Sequence, residues 1–209
     1  NFKIGEKDIK GFISPSFCQG TKFVKRSKYD CATVGRAERL KDPFVLHWLA
    51  NGTGLQTLVM TNEETYVSEH QNAYVKKNAD WKDPQKTAWN LDHSEVIKRL
   101  SHAKMFLSTC PEESWGITAM EALGCGVPAI LLTDKTGKHA SEDIAADPSH
   151  YRKIKKKNAK KEFLKVVEEL KAMPTSKRRE IYEMTNKKHS EENWKKMFVD
   201  MFALRLKDS

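Results

Sequence analysis

Short apolar runs alternate along this chain with longer segments whose apolar residues recur at helical spacing, and the order of these blocks predicts the fold. Residues 31–35, "CATVG", form a short apolar run closed by a glycine, as in a buried parallel strand. A helix follows. Asp42 caps it, Pro43 takes the first helical position, Phe44, Val45, Trp48 and Leu49 give its apolar face, and "NGTG" from Asn51 stops it. "QTLVM" at 56–60 is the next strand, 62–78 a mostly polar helix, and "TAWNL" at 87–91 a short third strand. In "DHSEVIKRLSHA", Asp92 and Ser94 are candidate caps, and Val96, Ile97, Leu100 and Ala103 repeat at helical spacing. The strand "KMFLST" at 104–109, a helix within 112–126 and the strand "PAILLT" at 128–133 come next. From residue 150 the pattern is helical throughout. It closes with 190–206, where Ser190 caps and Trp194, Met197, Phe198, Met201 and Phe202 share one face.

Strands alternating with helices of these lengths imply right-handed βαβ crossovers. The expected fold class is α/β: a Rossmann-like parallel sheet of about six strands, helices on both faces, and a helical C-terminal tail. A chain of 209 residues is enough for one good core.

Charge changes the picture only in the tail. Residues 151–209 hold 18 Lys and Arg against 9 Asp and Glu; the remaining 19 of each leave residues 1–150 neutral, so the whole net charge of +9 lies in the last quarter. The run "RKIKKKNAKK" at 152–161 is read as the solvated face of a helix, because Phe163, Val166, Val167, Leu170 and Met173 recur on the opposite side. An anionic acceptor, a membrane surface or DNA is the other partner class it suits. Cys18, Cys31, Cys110 and Cys125 are widely spaced, with neither a zinc pattern nor a disulfide framework, so reduced thiols and a cytoplasmic location are expected. The longest apolar runs, such as "VPAILL", are far too short to span a bilayer. The chain opens on Asn1 with no targeting segment, from which a processed or excised piece of a longer protein is expected.

The candidate chemistry falls where an open parallel sheet binds ligands, outside the carboxyl ends of its strands. Arg36 follows the first strand and Lys41 stands at the next helix entrance; Glu113, Ser114, Trp115 and Gly116 follow the strand at 104–109. Gly116 lets a ligand approach the backbone, and the N–H groups of Trp115, Gly116 and Ile117 lie at the positive end of a helix, which favours phosphate. Arg36 and Lys41 add full charges, so a diphosphate fits. Carboxylates beside a phosphate repel it, so Glu113 and Glu121 make sense facing hydroxyl groups on either side, as a nucleotide-sugar offers. Helix-dipole stabilisation alone explains an acidic residue at Glu113; it explains Glu121, beyond the first turn, less well. "GCG" at 124–126 ends a helix and is no dinucleotide fingerprint, and a P-loop sequence is absent.

The stretch "ESWGITAMEALGCGVPAI" resembles the E-x7-E signature of the glycosyl transferases group 1 type, retaining enzymes of the GT-B fold. "VGRAERLKD", "WNLDHSEVIKRLSHAKMFLST" and "SEENWKKMF" are similar to other segments of that family, and the resemblance spans about 26 to 206. It implies that Glu121 holds the ribose hydroxyls, Glu113 orients the transferred sugar, and Arg36 and Lys41 neutralise the departing diphosphate. Ser114, Trp115, Gly116, Ile117 and the Thr118 hydroxyl would complete the phosphate cradle, and the segment from Trp89 to Leu91 would meet the base. Neither metal nor cofactor is implied, the donor substrate being a nucleoside-diphosphate sugar. The resemblance also implies a partition: 1–30 a crossover from a missing N-terminal GT-B domain, 31–150 the nucleotide-sugar-binding core, and 151–209 basic helices packed on the core or on that domain. The fragment alone would bind donor and turn over poorly or not at all. Two departures stand out: Asp42 replaces a glycine, and "TGKHASE" retains only Gly137 ahead of Glu142. A sugar-nucleotide epimerase of the same fold, and a non-catalytic basic module binding nucleic acid or an anionic membrane, remain alternatives.

Overall fold

The computed structural model describes residues 3–4, 7–8, 20–36, 41–62, 85–111, 116–196 and 199. Two short antiparallel strands, β1 (Lys3–Ile4) and β2 (Lys7–Asp8), precede the main sheet in the chain. That sheet has six parallel strands: β3 (Tyr29–Val34), β4 (Thr57–Thr61), β5 (Gln85–Trp89), β6 (Ala103–Ser108), β7 (Ala129–Thr133) and β8 (Tyr151–Lys155). Their spatial order is β5-β4-β3-β6-β7-β8, all neighbours parallel. The chain winds outward from β3 to β5, returns to lay β6 beside β3, and winds outward the other way. The strand order therefore reverses at the β3/β6 junction, the kind of switch point beside which open parallel sheets bind ligands.

Burial on both faces explains the near-continuous apolar strands, since β4 and β7 are buried along their whole length. Successive side chains go to opposite faces. Leu58, Met60 and Leu131 join one core with Leu100 of α2 (His93–Ser101), Met120 and Leu123 of α3 (Ile117–Gly124) and Ile181 of α5 (Thr175–Lys188). Val59, Ile130 and Leu132 join the other with Leu46 and Leu49 of α1 (Val45–Ala50) and Phe163 and Val167 of α4 (Ala159–Lys171). Each such fully buried side chain contributes roughly 2 kcal/mol by leaving water.

Two buried polar anchors tie helices to this frame. Arg178 of α5, only 7% exposed, donates Nε to the Gly126 carbonyl at 3.1 Å, Nη2 to the Ala103 carbonyl at 3.0 Å and Nη1 to Ser27 Oγ at 2.9 Å. His47 of α1 lies between Thr57 Oγ1 (3.2 Å from Nδ1) and Thr87 Oγ1 (3.1 Å from Nε2), linking the helix to β4 and β5. Burial pushes its pKa down to about 3, so the ring is neutral.

Several expectations meet corrections. The tail is not helical from residue 150: Tyr151–Lys155 is a strand paired with β7, and Ile154 alone of these five is fully buried. An edge strand needs only one inward apolar residue here, and the flanking lysines hide its period of two. Part of the lysine run is therefore strand and 3-10 turn, and the helix starts only at Ala159. Asp42 Oδ1 accepts from the Phe44 N–H at 3.2 Å in the turn before the helix, but regular helix begins only at Val45 with Phe44 at the N-cap, so Asp42 is not the helix cap and Pro43 does not take the first helical position. Trp48 is 44% exposed while Leu46 is fully buried, so Leu46 takes the place on the inward face expected of Trp48. Asp92 is the cap of α2, accepting from the Glu95 N–H at 2.8 Å; Ser94 Oγ instead donates to Asp92 at 2.8 Å. Asn51 to Gly54 form the expected turn. The predicted helix over 62–78 lies, beyond Asn62, outside the described residues, as do Met201 and Phe202 and the side chains of Met197 and Phe198. Residues 191–196 are helical, with the Asn193 N–H donated to Ser190 Oγ at 3.1 Å. No described helix is long and apolar enough to cross a membrane.

Candidate active site

A cavity of about 380 Å³ opens over the carboxyl ends of β3, β4 and β5. It is lined by Val34, Gly35, Arg36 and Lys41 from the loop after β3, Met60 to Asn62 from β4, Asn90 and Leu91 after β5, Val96 of α2 and Thr118 of α3. This lies beside the switch between β3 and β6, within the size range of small-molecule sites, roughly 300–1,000 Å³.

Hydrogen bonds anchor the two described ends of the segment after β3, where Arg36 and Lys41 reach this wall. The Gly35 N–H donates to the Met60 carbonyl at 3.1 Å. Farther along, Thr109 Oγ1, just past β6, donates to the Lys41 carbonyl at 2.7 Å. Gly35 and Lys41 come so close that a Cβ on Gly35 would stand 3.3 Å from the Lys41 carbonyl oxygen. Arg36 and Lys41, distant from Thr118 in sequence, thus face the same cavity.

Across from them α3 begins at Gly116, which adopts φ 60° and ψ 36°, a left-handed conformation that suits glycine. The space there is also closed, because a Cβ would come within 2.0 Å of Ser141 Oγ. The first turn of α3 presents Thr118 to the cavity, while Ile117 is 44% exposed. Glu121, one turn on, is 8% exposed and accepts at Oε1 from His93 Nε2 at 2.6 Å. Asn90 has φ 50°, a conformation rare for residues other than glycine and found most often in Asn and Asp; its N–H donates to the Thr61 carbonyl at 2.9 Å.

The structure therefore brings together Arg36, Lys41, Leu91 and Thr118 around one cavity, with Glu121 a turn away. Trp89 does not line it; its ring packs 6.0 Å from that of Phe44. Glu113, Ser114 and Trp115 lie outside the described residues. Sequence reasoning missed His93 and Val96 as site residues and took Asn90 only as part of the segment from Trp89 to Leu91. Their only local signal is their position around a strand end and helix cap, where an asparagine tolerates positive φ.

Glu142 is committed to structure. It accepts from the His139 N–H at 2.8 Å, Lys153 Nζ at 3.0 Å and Tyr151 Oη at 3.2 Å. Burial opposes its charge, but the bonds from Lys153 and the His139 N–H hold its pKa below the usual glutamate range. Among the described residues no group of three or more His, Cys, Asp or Glu is placed to hold a metal ion.

The family model described as glycosyl transferases group 1 matches residues 68–188, more than half of the chain. The chain belongs to this family. As a group 1 glycosyltransferase domain it shares its α/β fold with solved GT-B enzymes. Sucrose-phosphate synthase from Thermosynechococcus elongatus superposes with a TM-score of 0.71 at 14% identity, over 93% of this chain and 52% of that one. TarM gives 0.67 at 15% identity, over 89% and 38%. The catalytic domain of starch synthase IV from Arabidopsis thaliana, bound to ADP and acarbose, gives 0.62 at 12% identity, over 88% and 40%. This family member thus spans between 38% and 52% of the lengths of those three proteins. A search of the curated proteins finds no match.

Proposed function

We propose that this chain is the C-terminal, donor-binding half of a retaining glycosyltransferase, which transfers a sugar from a nucleoside diphosphate to an acceptor. The observation that carries the proposal is the single cavity joining Arg36, Lys41, Leu91 and Thr118 beside the strand-order switch. In this reading the diphosphate lies between the two cations and the first turn of α3. Charge builds on the diphosphate as the bond to the sugar breaks, and Arg36, Lys41 and the helix amides stabilise it there, a role filled elsewhere by a metal ion. The Thr118 hydroxyl adds a donor, Glu121 accepts from the ribose hydroxyls, and the segment at Asn90 and Leu91 meets the base. Glu113, carried by resemblance to the E-x7-E signature, orients the sugar. The half of the fold that this chain does not span would supply the acceptor site.

Calorimetric titration with UDP, GDP and ADP tests the reading. At least one should bind, Arg36→Ala and Lys41→Ala should each weaken it, and Glu121→Ala should weaken it at least severalfold. If none of the three binds, or if Glu121→Ala binds as tightly as the parent, the donor site is refuted. Product analysis from donor without acceptor separates transfer from epimerisation.

One observation favours a second, compatible reading of the basic surface. Lys156, Lys157 and Lys161 are exposed and, among the described residues, in no ion pair, so they suit an anionic partner: an acidic acceptor, a membrane surface or modified DNA. Binding to anionic vesicles or DNA that falls with salt and with Lys156→Gln/Lys157→Gln/Lys161→Gln is expected; indifference to both removes the idea.

A further inference from the structure

Glu121 occupies an unusual position for a carboxylate. On α3 it is flanked by Ala119, Met120, Ala122 and Leu123, all essentially inaccessible, and it is itself 8% exposed. A buried carboxylate is costly unless donors satisfy it. Among the described residues its hydrogen-bond partner is His93, at 2.6 Å to Oε1. His93 is the first residue of α2 and its side chain is 61% exposed, so it lies over the carboxylate from the solvent side. Its place is set by the cap before it: Asp92 Oδ1 takes the Glu95 N–H and the Ser94 hydroxyl, which fixes the first turn of α2. The two helices that carry this pair also wall the cavity, through Val96 one turn after His93 and Thr118 one turn before Glu121.

From this geometry we infer that His93 is a positioning residue for the donor site. Its Nε2–H occupies one acceptor position on Oε1 and fixes the carboxylate rotamer. Oε2 and the second lone pair of Oε1 are then left for two neighbouring hydroxyls. A carboxylate free to rotate would have to be ordered by the ligand itself, at the expense of affinity. Specificity for a ribose diol over a deoxygenated sugar thus depends on a histidine that need not touch the ligand. The inference rests on the donor-binding reading above.

The test uses whichever of UDP, GDP and ADP the parent chain binds most tightly, together with its 2′,3′-dideoxy counterpart. The parent should prefer the ribose form. His93→Leu, which removes the donor at an exposed position, should weaken the ribose form roughly tenfold and leave the dideoxy form unchanged. His93→Gln, which restores an N–H, should recover most of the difference; a role in packing alone predicts no such rescue. The inference is overturned if His93→Leu binds both ligands as the parent does, if it weakens both equally, or if glutamine fails to rescue. A parent that binds none of the three, or does not distinguish ribose from dideoxyribose, overturns the donor reading itself, an outcome separable from the others because it appears before any His93 substitution.

Discussion

Replacing Gly116 by alanine attacks the junction between the sheet and the proposed phosphate cradle, and its effect follows from two separate terms. The first is conformational: at φ 60° an alanine Cβ crowds its own backbone, costing about 1–2 kcal/mol. The second is steric. The new Cβ would stand 2.0 Å from Ser141 Oγ, 2.9 Å from Ser141 Cβ and 3.1 Å from Ile144 Cδ1. Ser141 and Ile144 are 1% and 5% exposed, so neither can swing into solvent, and overpacking of this kind costs about 1–3 kcal/mol. The sum, roughly 2–5 kcal/mol, should appear in urea unfolding as a lower midpoint at unchanged slope, and as a fall in Tm of roughly 4–20 °C for a domain of this size. Adding Ser141→Gly to Gly116→Ala removes both serine contacts, so it should restore most of the steric part, leaving the Ile144 contact and the conformational part. A loss below about 0.5 kcal/mol for Gly116→Ala would refute the account, as would a double variant no more stable than the single one.

Two further outcomes follow from the buried polar anchors. Because burial holds the His47 pKa at about 3 in the folded chain and the unfolded chain takes up a proton near 6.5, stability should fall as pH drops below about 6.5, by up to about 1.4 kcal/mol per pH unit until about 3. His150 and His189, also lowered by burial, act in the same direction; urea midpoints at pH 7 and pH 5.5 should differ less in His47→Gln, and an unchanged difference would exclude His47 as a source. Arg178→Leu leaves the carbonyls of Ala103 and Gly126 without this donor and should destabilise by roughly 2–4 kcal/mol in chemical denaturation; a change under 0.5 kcal/mol would mean that the three bonds are replaced by water.

The parts of this fold that could be read from sequence are those whose signal is local. Asp92 before an apolar repeat announces α2, and the uninterrupted apolar run of β7 announces a strand covered on both faces. β8 escaped because its pattern depends on a neighbour: one inward isoleucine among basic residues becomes a strand only when β7 offers an edge to pair with. Trp48 was misplaced for a related reason, since helical spacing defines a face but not which part of that face the sheet covers. Within the site, Arg36, Lys41 and Thr118 could be chosen from chemistry and position after strands. The contact of His93 with Glu121 joins residues 28 positions apart, and only the packing of α2 on α3 creates it.

The lysines of β8 have a consequence for association. Among the described residues this strand ends the sheet, and Lys153 and Lys155, exposed on the same side of its backbone, flank the buried Ile154. An unpaired strand edge can recruit the same edge of another molecule. Two copies of this chain brought together there would set the exposed Lys155 of each in one short ladder, beside Lys153 side chains already paired with Glu142. Mutual repulsion should hinder such a seam, so the charge that concealed the strand in the sequence also helps keep the sheet finite.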